Sequence, residues 1–212
     1  MNNIICGNGS DEILSMFANC FAGQNDEIVY SEHGFLVYPI ATKAAGAIPI
    51  IAKEKNYKAN VEEIIKVCSS KTKVCFIANP NNPTGTYLTR DELITLRQKL
   101  PIDCLLVIDS AYAEYVEKED YTNGFDLVNK FENVACTRTF SKIYGLAALR
   151  IGWAYASLDV IDYLNRIRLP FNINTIAQNA AIAAIQDQLF IRKAIKHNNI
   201  WKNYIEKELI DL

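Results

Sequence analysis

The chain reads as an α/β domain built on a mainly parallel sheet, and three observations carry that expectation. Short β-like runs alternate with helix-like ones along the whole sequence. Runs such as Lys73–Ala78 and Leu105–Ile108 are apolar enough to be buried strands. Four polar motifs fall at strand ends or helix starts, where parallel α/β sheets bind their ligands.

The elements follow in order. Ser10-Asp11-Glu12 opens a helix that carries Ile13, Leu14, Phe17, Cys20 and Phe21 on one face and stops at Gly23. Glu27–Tyr30 is a strand, Phe35–Ala45 a helix, Ala47–Ala52 a strand and Val61–Cys68 a short helix. Lys73–Ala78 is a strand that runs directly into Asn79-Pro80-Asn81-Asn82-Pro83-Thr84-Gly85. Thr89 caps a helix reaching Leu100, with Asp91 and Glu92 in the first turn, where the helix dipole favours acids. Cys104–Asp109, Val134–Thr139 and Arg150–Ala156 are further strands. Helical patterns then lie around the loop Leu169-Pro170-Phe171-Asn172. Thr175–Ile185 is alanine-rich and apolar around most of its circumference, so it is expected to pack deep. Leu189–Leu212 stays helical to the last residue.

Half of the 212 residues are apolar and 22% are charged, an ordinary globular composition with enough chain for one large domain. The net charge of −2 and the isoelectric point near 5.8 argue against a nucleic-acid or anionic-membrane surface. No apolar run approaches a membrane span, and no signal-peptide pattern precedes the first motif. The six cysteines are scattered without a C-x-x-C pair, and only His33 and His197 supply imidazole. Buried free thiols in a reducing cytosol are expected, with no metal site and no disulfide framework.

The stretch Thr139-Phe140-Ser141-Lys142-Ile143-Tyr144-Gly145-Leu146-Ala147-Ala148-Leu149-Arg150 places one lysine among groups suited to a phosphate. Lysine bonds aldehyde cofactors through its amine, and Thr139, Ser141 and Arg150 together can hold a phosphate by hydrogen bonds and charge. A lysine anchoring an aldehyde beside a phosphate pocket points to pyridoxal phosphate. Ser-Lys alone would only be a polar turn, so the other motifs decide. Gly7-Asn8-Gly9-Ser10-Asp11 leads into a helix N-terminus, where free N–H groups attract phosphate. In the loop after Ala78, two prolines and a closing glycine fix the backbone so that Asn82 can present its amide at one position. Asp109 follows four apolar residues, where an unpaired carboxylate is costly. A protonated pyridine nitrogen is a suitable partner, because the ion pair keeps the ring electron-withdrawing. Tyr112, three residues on, can donate to a ring oxygen.

Asn82, Asp109, Tyr112, Lys142 and Arg150 occur in the order and rough spacing of the fold type I pyridoxal-phosphate aminotransferases. The motifs N-P-N-N-P-T-G, D-x-A-Y and S-K-x(7)-R carry that likeness together. G-N-G-S-D-E-I, H-G-F-L-V-Y-P-I-A-T, T-R-T-F-S-K-I-Y-G-L-A-A-L-R-I-G-W and R-L-P-F-N-I-N further resemble segments of the histidinol-phosphate aminotransferase family, over nearly the entire chain. The resemblance implies a three-layer α/β/α domain with a mainly parallel seven-stranded sheet. It implies that residues 1–188 form the large, cofactor-binding domain and that 189–212 begin a helix leading to a small domain outside this sequence. Lys142 would bond the cofactor and shuttle a proton. Asp109 would pair with the pyridine N–H, and Asn82 and Tyr112 would bind the phenolic oxygen. Ser10 and Asp11 (through the helix N-terminus), Thr139, Ser141 and Arg150 would hold the phosphate. Phe35 would stack on the ring, and Asn172 falls among loop residues near the site.

The same resemblance implies a cytoplasmic homodimer in histidine biosynthesis. It would move an amino group between histidinol phosphate and 2-oxoglutarate. Family members also carry an N-terminal arm before G-N-G-S-D and a C-terminal domain with a carboxylate-binding arginine, so the chain is expected to be cut at both ends. Alternatives on the same scaffold are an aromatic or aspartate aminotransferase or an amino-acid phosphate decarboxylase. A non-catalytic piece that pairs with a separate polypeptide is a third reading.

Overall fold

Strands β6 (Thr72–Ala78) and β7 (Leu105–Asp109) form the centre of the sheet, and their apolar runs are explained by cover on both faces. Val74, Phe76, Leu105 and Val107 point into one core layer, while Cys75, Ile77, Leu106 and Ile108 point into the other. This is the two-residue alternation of a strand with an apolar layer on each side. The structure, a computed structural model, describes residues 2–210.

Seven strands make one sheet. The others are β1 (Ile4–Gly7), β2 (Glu27–Ser31), β3 (Ile48–Ala52), β8 (Val134–Thr139) and β9 (Gly152–Ala156), in the order β1-β9-β8-β7-β6-β2-β3. From β3 to β8 all neighbours are parallel; β9 runs antiparallel to both β8 and β1. The hairpin β4 (Glu54–Lys55) and β5 (Lys58–Ala59) stands apart, turning through Asn56 and Tyr57, both at positive φ.

Helices α1 (Gly9–Phe21), α2 (Val37–Ala44) and α6 (Leu158–Ile167) cover one face. Their apolar stripes, among them Ile13, Leu14, Phe17, Tyr38, Ala41, Ile161 and Leu164, complete the first core layer. Helices α3 (Val61–Val67), α4 (Arg90–Lys99) and α5 (Phe125–Lys130) cover the other face through Ile64, Leu93, Leu96 and Leu127. Helix α4 starts where its cap predicts. The Thr89 side chain accepts from Glu92 N–H, and the Glu92 carboxylate accepts from Thr89 N–H, which satisfies two otherwise unpaired donors. The result is the expected three-layer α/β/α arrangement around a mainly parallel seven-stranded sheet.

One expectation is corrected. Helix α7 (Thr175–Gln186) does not pack deep: only Ala177 and Ala181, one turn apart, are buried, against Phe140 and Ile151. Ile176 is 72% exposed, and Ile182 and Ile185 are also exposed. The helix rests on the segment after β8, outside the two layers, and no described residue covers its other side. Helix α8 (Gln188–Ile210) buries only Ile191, while Ile200, Trp201, Tyr204, Ile205 and Leu209 are exposed. The last two residues of the helix expected over 189–212 lie outside the described residues, as does Met1 of the domain expected over 1–188. Of the cysteines, Cys75, Cys104 and Cys136 are buried, whereas Cys6 is exposed at the end of β1.

Candidate active site

Parallel pairing sets Ala78, Asp109 and Thr137 side by side at the carboxyl ends of β6, β7 and β8. Asp109 is 4% exposed and faces the α1–α2 layer. Its Oδ2 accepts a hydrogen bond from the Tyr38 hydroxyl at 2.9 Å, and its Oδ1 accepts one from Thr137 Oγ1 at 2.8 Å. No described cation lies within ion-pair distance. Burial pushes the Asp109 carboxyl above the usual aspartate range, against the downward pull of the two hydroxyls. Asp109 therefore lines the cleft as a buried carboxyl held by two hydroxyls, with the charge of Lys142 reaching it only from beyond ion-pair distance.

The loop after β6 divides its asparagines between structure and site. Asn79 closes the loop on itself: its side chain donates to Leu88 O at 3.1 Å and accepts from Leu88 N–H at 2.7 Å. Asn81 donates to His33 O and Thr84 Oγ1. Asn82 alone reaches across the cleft, donating to the Tyr112 hydroxyl at 3.3 Å. Tyr112 stands at the start of a 3-10 turn, Ala113–Tyr115, directly after the β7 end.

Past β8 the chain turns back to carry Lys142. The Thr139 hydroxyl accepts from Ser141 N–H at 3.1 Å, and Gly145, at φ 69°, returns a backbone bond to Lys142 O. Lys142 Nζ lies 5.4 Å from the centroid of the Tyr112 ring. At the other end of the cleft, Arg150 donates to Ser141 Oγ at 3.2 Å and to Asp11 Oδ2 at 3.1 Å. Arg150 itself sits at φ 55°, and Gly9 at φ 79° leaves the space its guanidinium fills. A side chain at Gly152 would strike the backbone of Gly9 and Ser10, so glycine there lets the N-terminus of α1 lie against β9.

All ten residues singled out from the sequence line this one cleft: Ser10, Asp11, Phe35, Asn82, Asp109, Tyr112, Thr139, Ser141, Lys142 and Arg150. The Asp11 carboxylate is engaged by Arg150, so only its backbone N–H remains to meet an anion. Phe35 lies just before α2 rather than inside it, with its ring edge-on to Tyr38 at 6.0 Å. Asn172 is not brought into the cleft; it donates to Cys6 O and to Glu12. Tyr38 and Thr137, which hold Asp109, escaped the sequence reading. Thr137 carried a faint signal, two residues before Thr139 on the same strand; Tyr38 carried none beyond its place on a buried helix face.

A buried carboxylate at the floor, an amine and a phenol above it, and an arginine with hydroxyls and a helix N-terminus at one end suit a ligand with a particular pattern. Such a ligand carries positive charge near Asp109 and negative charge at the Arg150 end. Among known proteins, the family profile "Aminotransferase class I and II" matches residues 1–206. The histidinol-phosphate aminotransferase of Zymomonas mobilis is 51% identical over 206 residues, which are 97% of this chain and 56% of that protein. The crystal structure of histidinol-phosphate aminotransferase from Sinorhizobium meliloti in complex with pyridoxal-5'-phosphate superposes with a TM-score of 0.86 at 28% identity. It covers 92% of this chain and 53% of that one. Aspartate aminotransferase from Thermotoga maritima has the same fold, with a TM-score of 0.90 at 23% identity over 99% of this chain and 57% of that one. The chain thus spans just over half the length of the relatives it matches.

The buried carboxyl makes a prediction about pH. Because its folded pKa is raised, Asp109 costs no charge burial below the unfolded aspartate pKa of about 3.9. Stability is lost as pH climbs from there through the folded pKa. Without added cofactor, Asp109→Asn should match the wild type in acid and exceed it near neutrality, by about 1 kcal/mol or 2–4 °C in Tm. Thermal unfolding across pH checks this; a variant less stable than wild type at neutral pH would contradict it.

Proposed function

The chain belongs to the class I and II aminotransferase family, and on that premise we propose that its cleft binds pyridoxal phosphate and serves transamination. The proposed amino donor is histidinol phosphate and the acceptor 2-oxoglutarate, as a step of histidine biosynthesis. The observation that carries the reading is Asp109, a buried carboxylate with no cation beside it. When bound, pyridoxal phosphate supplies a cationic ring that withdraws electrons from the substrate's reacting carbon.

The residues divide the work by position. Asp109, held by Tyr38 and Thr137, accepts the ring N–H and keeps the ring charged. Asn82 and Tyr112 donate to the phenolic oxygen on the opposite side. Arg150, Ser141, Thr139 and the first N–H groups of α1, at Ser10 and Asp11, bind the phosphate, with Arg150 pre-set by Asp11. Phe35 packs over the ring face. The Lys142 amine would hold the cofactor through its aldehyde carbon, with loss of water. Released by a substrate amine, the same Nζ would be the base that takes the proton from the substrate Cα and gives it back at the cofactor end. Because the first oxo product would leave before the second substrate binds, ping-pong kinetics are expected.

The substrate assignment rests on the sequence identity to histidinol-phosphate aminotransferases. The whole-protein assembly proposed is a cytoplasmic homodimer. It is supported by the bare apolar side of α7 at Ile176, Ile182 and Ile185 and by the general tendency of such patches to mark contact surfaces. No helix among the described residues is long and apolar enough to cross a membrane.

Adding pyridoxal phosphate to the purified chain should produce a visible absorbance band that Lys142→Ala abolishes. Borohydride treatment followed by peptide mapping should leave the cofactor on Lys142. A wild-type chain that stays colourless would sink the reading. Histidinol phosphate should bleach the band at lower concentration than aspartate or an aromatic amino acid; the reverse order would move the substrate assignment to another aminotransferase. Light scattering should give twice the chain mass, which drops to one chain mass when Ile182 and Ile185 are both changed to Asp. A wild-type monomer at every concentration would exclude the dimer for this chain.

A further inference from the structure

Among the described residues, one ion pair is nearly buried on both sides and belongs to none of the groups above. Arg138 Nη2 donates to Glu114 Oε1 at 2.5 Å, with side chains 10% and 12% exposed. The guanidinium also lies over the rings of Phe125 and Trp153, at 5.5 and 5.9 Å. The second Glu114 oxygen, Oε2, is buried with no hydrogen-bond partner. A buried pair left partly unsatisfied is a poor source of stability, because desolvation of both charges offsets their attraction. Position gives it a purpose.

Glu114 is the middle residue of the 3-10 turn that begins immediately after Tyr112. Arg138 lies in β8, one residue before Thr139 and four before Lys142. The backbone bond from Ser110 N–H to Thr137 O, at 3.0 Å, is the rung that closes the ladder just ahead of both segments. Beyond that rung, the ion pair ties the segment bearing the Tyr112 phenol to the one bearing the Lys142 amine. A tilt of the turn would move the phenol while Asp109, inside the strand, stayed in place.

We propose that Glu114 and Arg138 are positioning residues, whose ion pair fixes the Tyr112 phenol relative to the Lys142 amine and so tunes the protonation of that nitrogen when the cofactor is attached. The proposal rests on the pyridoxal-phosphate reading of the cleft. The charged and titratable groups lining the cleft with Lys142 are Asp11, Asp109, Tyr112 and Arg150, and Tyr87, Tyr115, Glu117, Lys118 and Lys202 line the hollow on its other side; Glu114→Gln alters none of them.

The test is a pH titration of the visible band of the full chain loaded with pyridoxal phosphate. Glu114→Gln should keep the band but shift its midpoint by about 0.5 pH unit or more. Leu96→Ala, a core change of comparable destabilisation away from the cleft, should leave the midpoint in place. Tyr112→Phe should shift it too, and adding Glu114→Gln to that variant should produce no further shift, because the pair acts through the phenol. If Glu114→Gln does not fold, Arg138→Lys, which keeps the charge at a different reach, is read in the same way. An unmoved midpoint, or shifts that add in the double variant, would overturn the proposal while the band itself upheld the cofactor reading. A wild type with no band would overturn both.

Discussion

Asp109 lies at the end of a strand buried on both faces, with two hydroxyls bonded to it and no described cation within ion-pair distance. Its place follows from the sheet: parallel registration puts it between Ala78 and Thr137, and α2 brings Tyr38 over it from the helical layer. Hydrogen bonds alone return only part of what a buried carboxylate loses on leaving water. A cation bound beside it would favour its charged form, as would the charge of Lys142 nearby. The other site residues are arranged around that point, with the phenol and amine on one side and the anion-binding groups at the far end.

The cleft is assembled from segments far apart in the chain, and close backbone approach is what brings them together. Gly152 lets the first turn of α1 lie on β9, and Gly9 leaves room for the Arg150 guanidinium. Asp11 then orients Arg150 from one side and Ser141 from the other. In the loop after β6, Asn79 closes the loop on itself and Asn81 ties it to His33 and Thr84, which leaves Asn82 to reach the cleft. Binding groups on such pre-set supports lose little freedom when a ligand arrives.

Much of this was legible because the relevant signals are local. The central strands announce themselves as apolar runs, Thr89 announces its helix, and each site residue sits in a motif at a strand end or helix start. What was not legible depends on contacts between distant segments. Strand β1 is four residues long and earns its place only by pairing with β9. The hairpin of β4 and β5 and the short helix α5 have too few residues to show a period. Helix α7 has the composition of a buried helix, yet its burial depends on protein surface that no described residue supplies. Tyr38, Thr137, Glu114 and Arg138 act by holding other side chains, and nothing in their sequence neighbours reveals which ones.

The role proposed for Asp109 is to keep a proton on the ring nitrogen of bound pyridoxal phosphate. The most direct measurement is the nitrogen NMR shift of cofactor labelled with 15N in its pyridine ring and bound to the chain. The account predicts a protonated nitrogen in the wild type at mildly alkaline pH and loss of that proton in Asp109→Ala. A deprotonated ring nitrogen in the wild-type complex, with Asp109 intact, would contradict it.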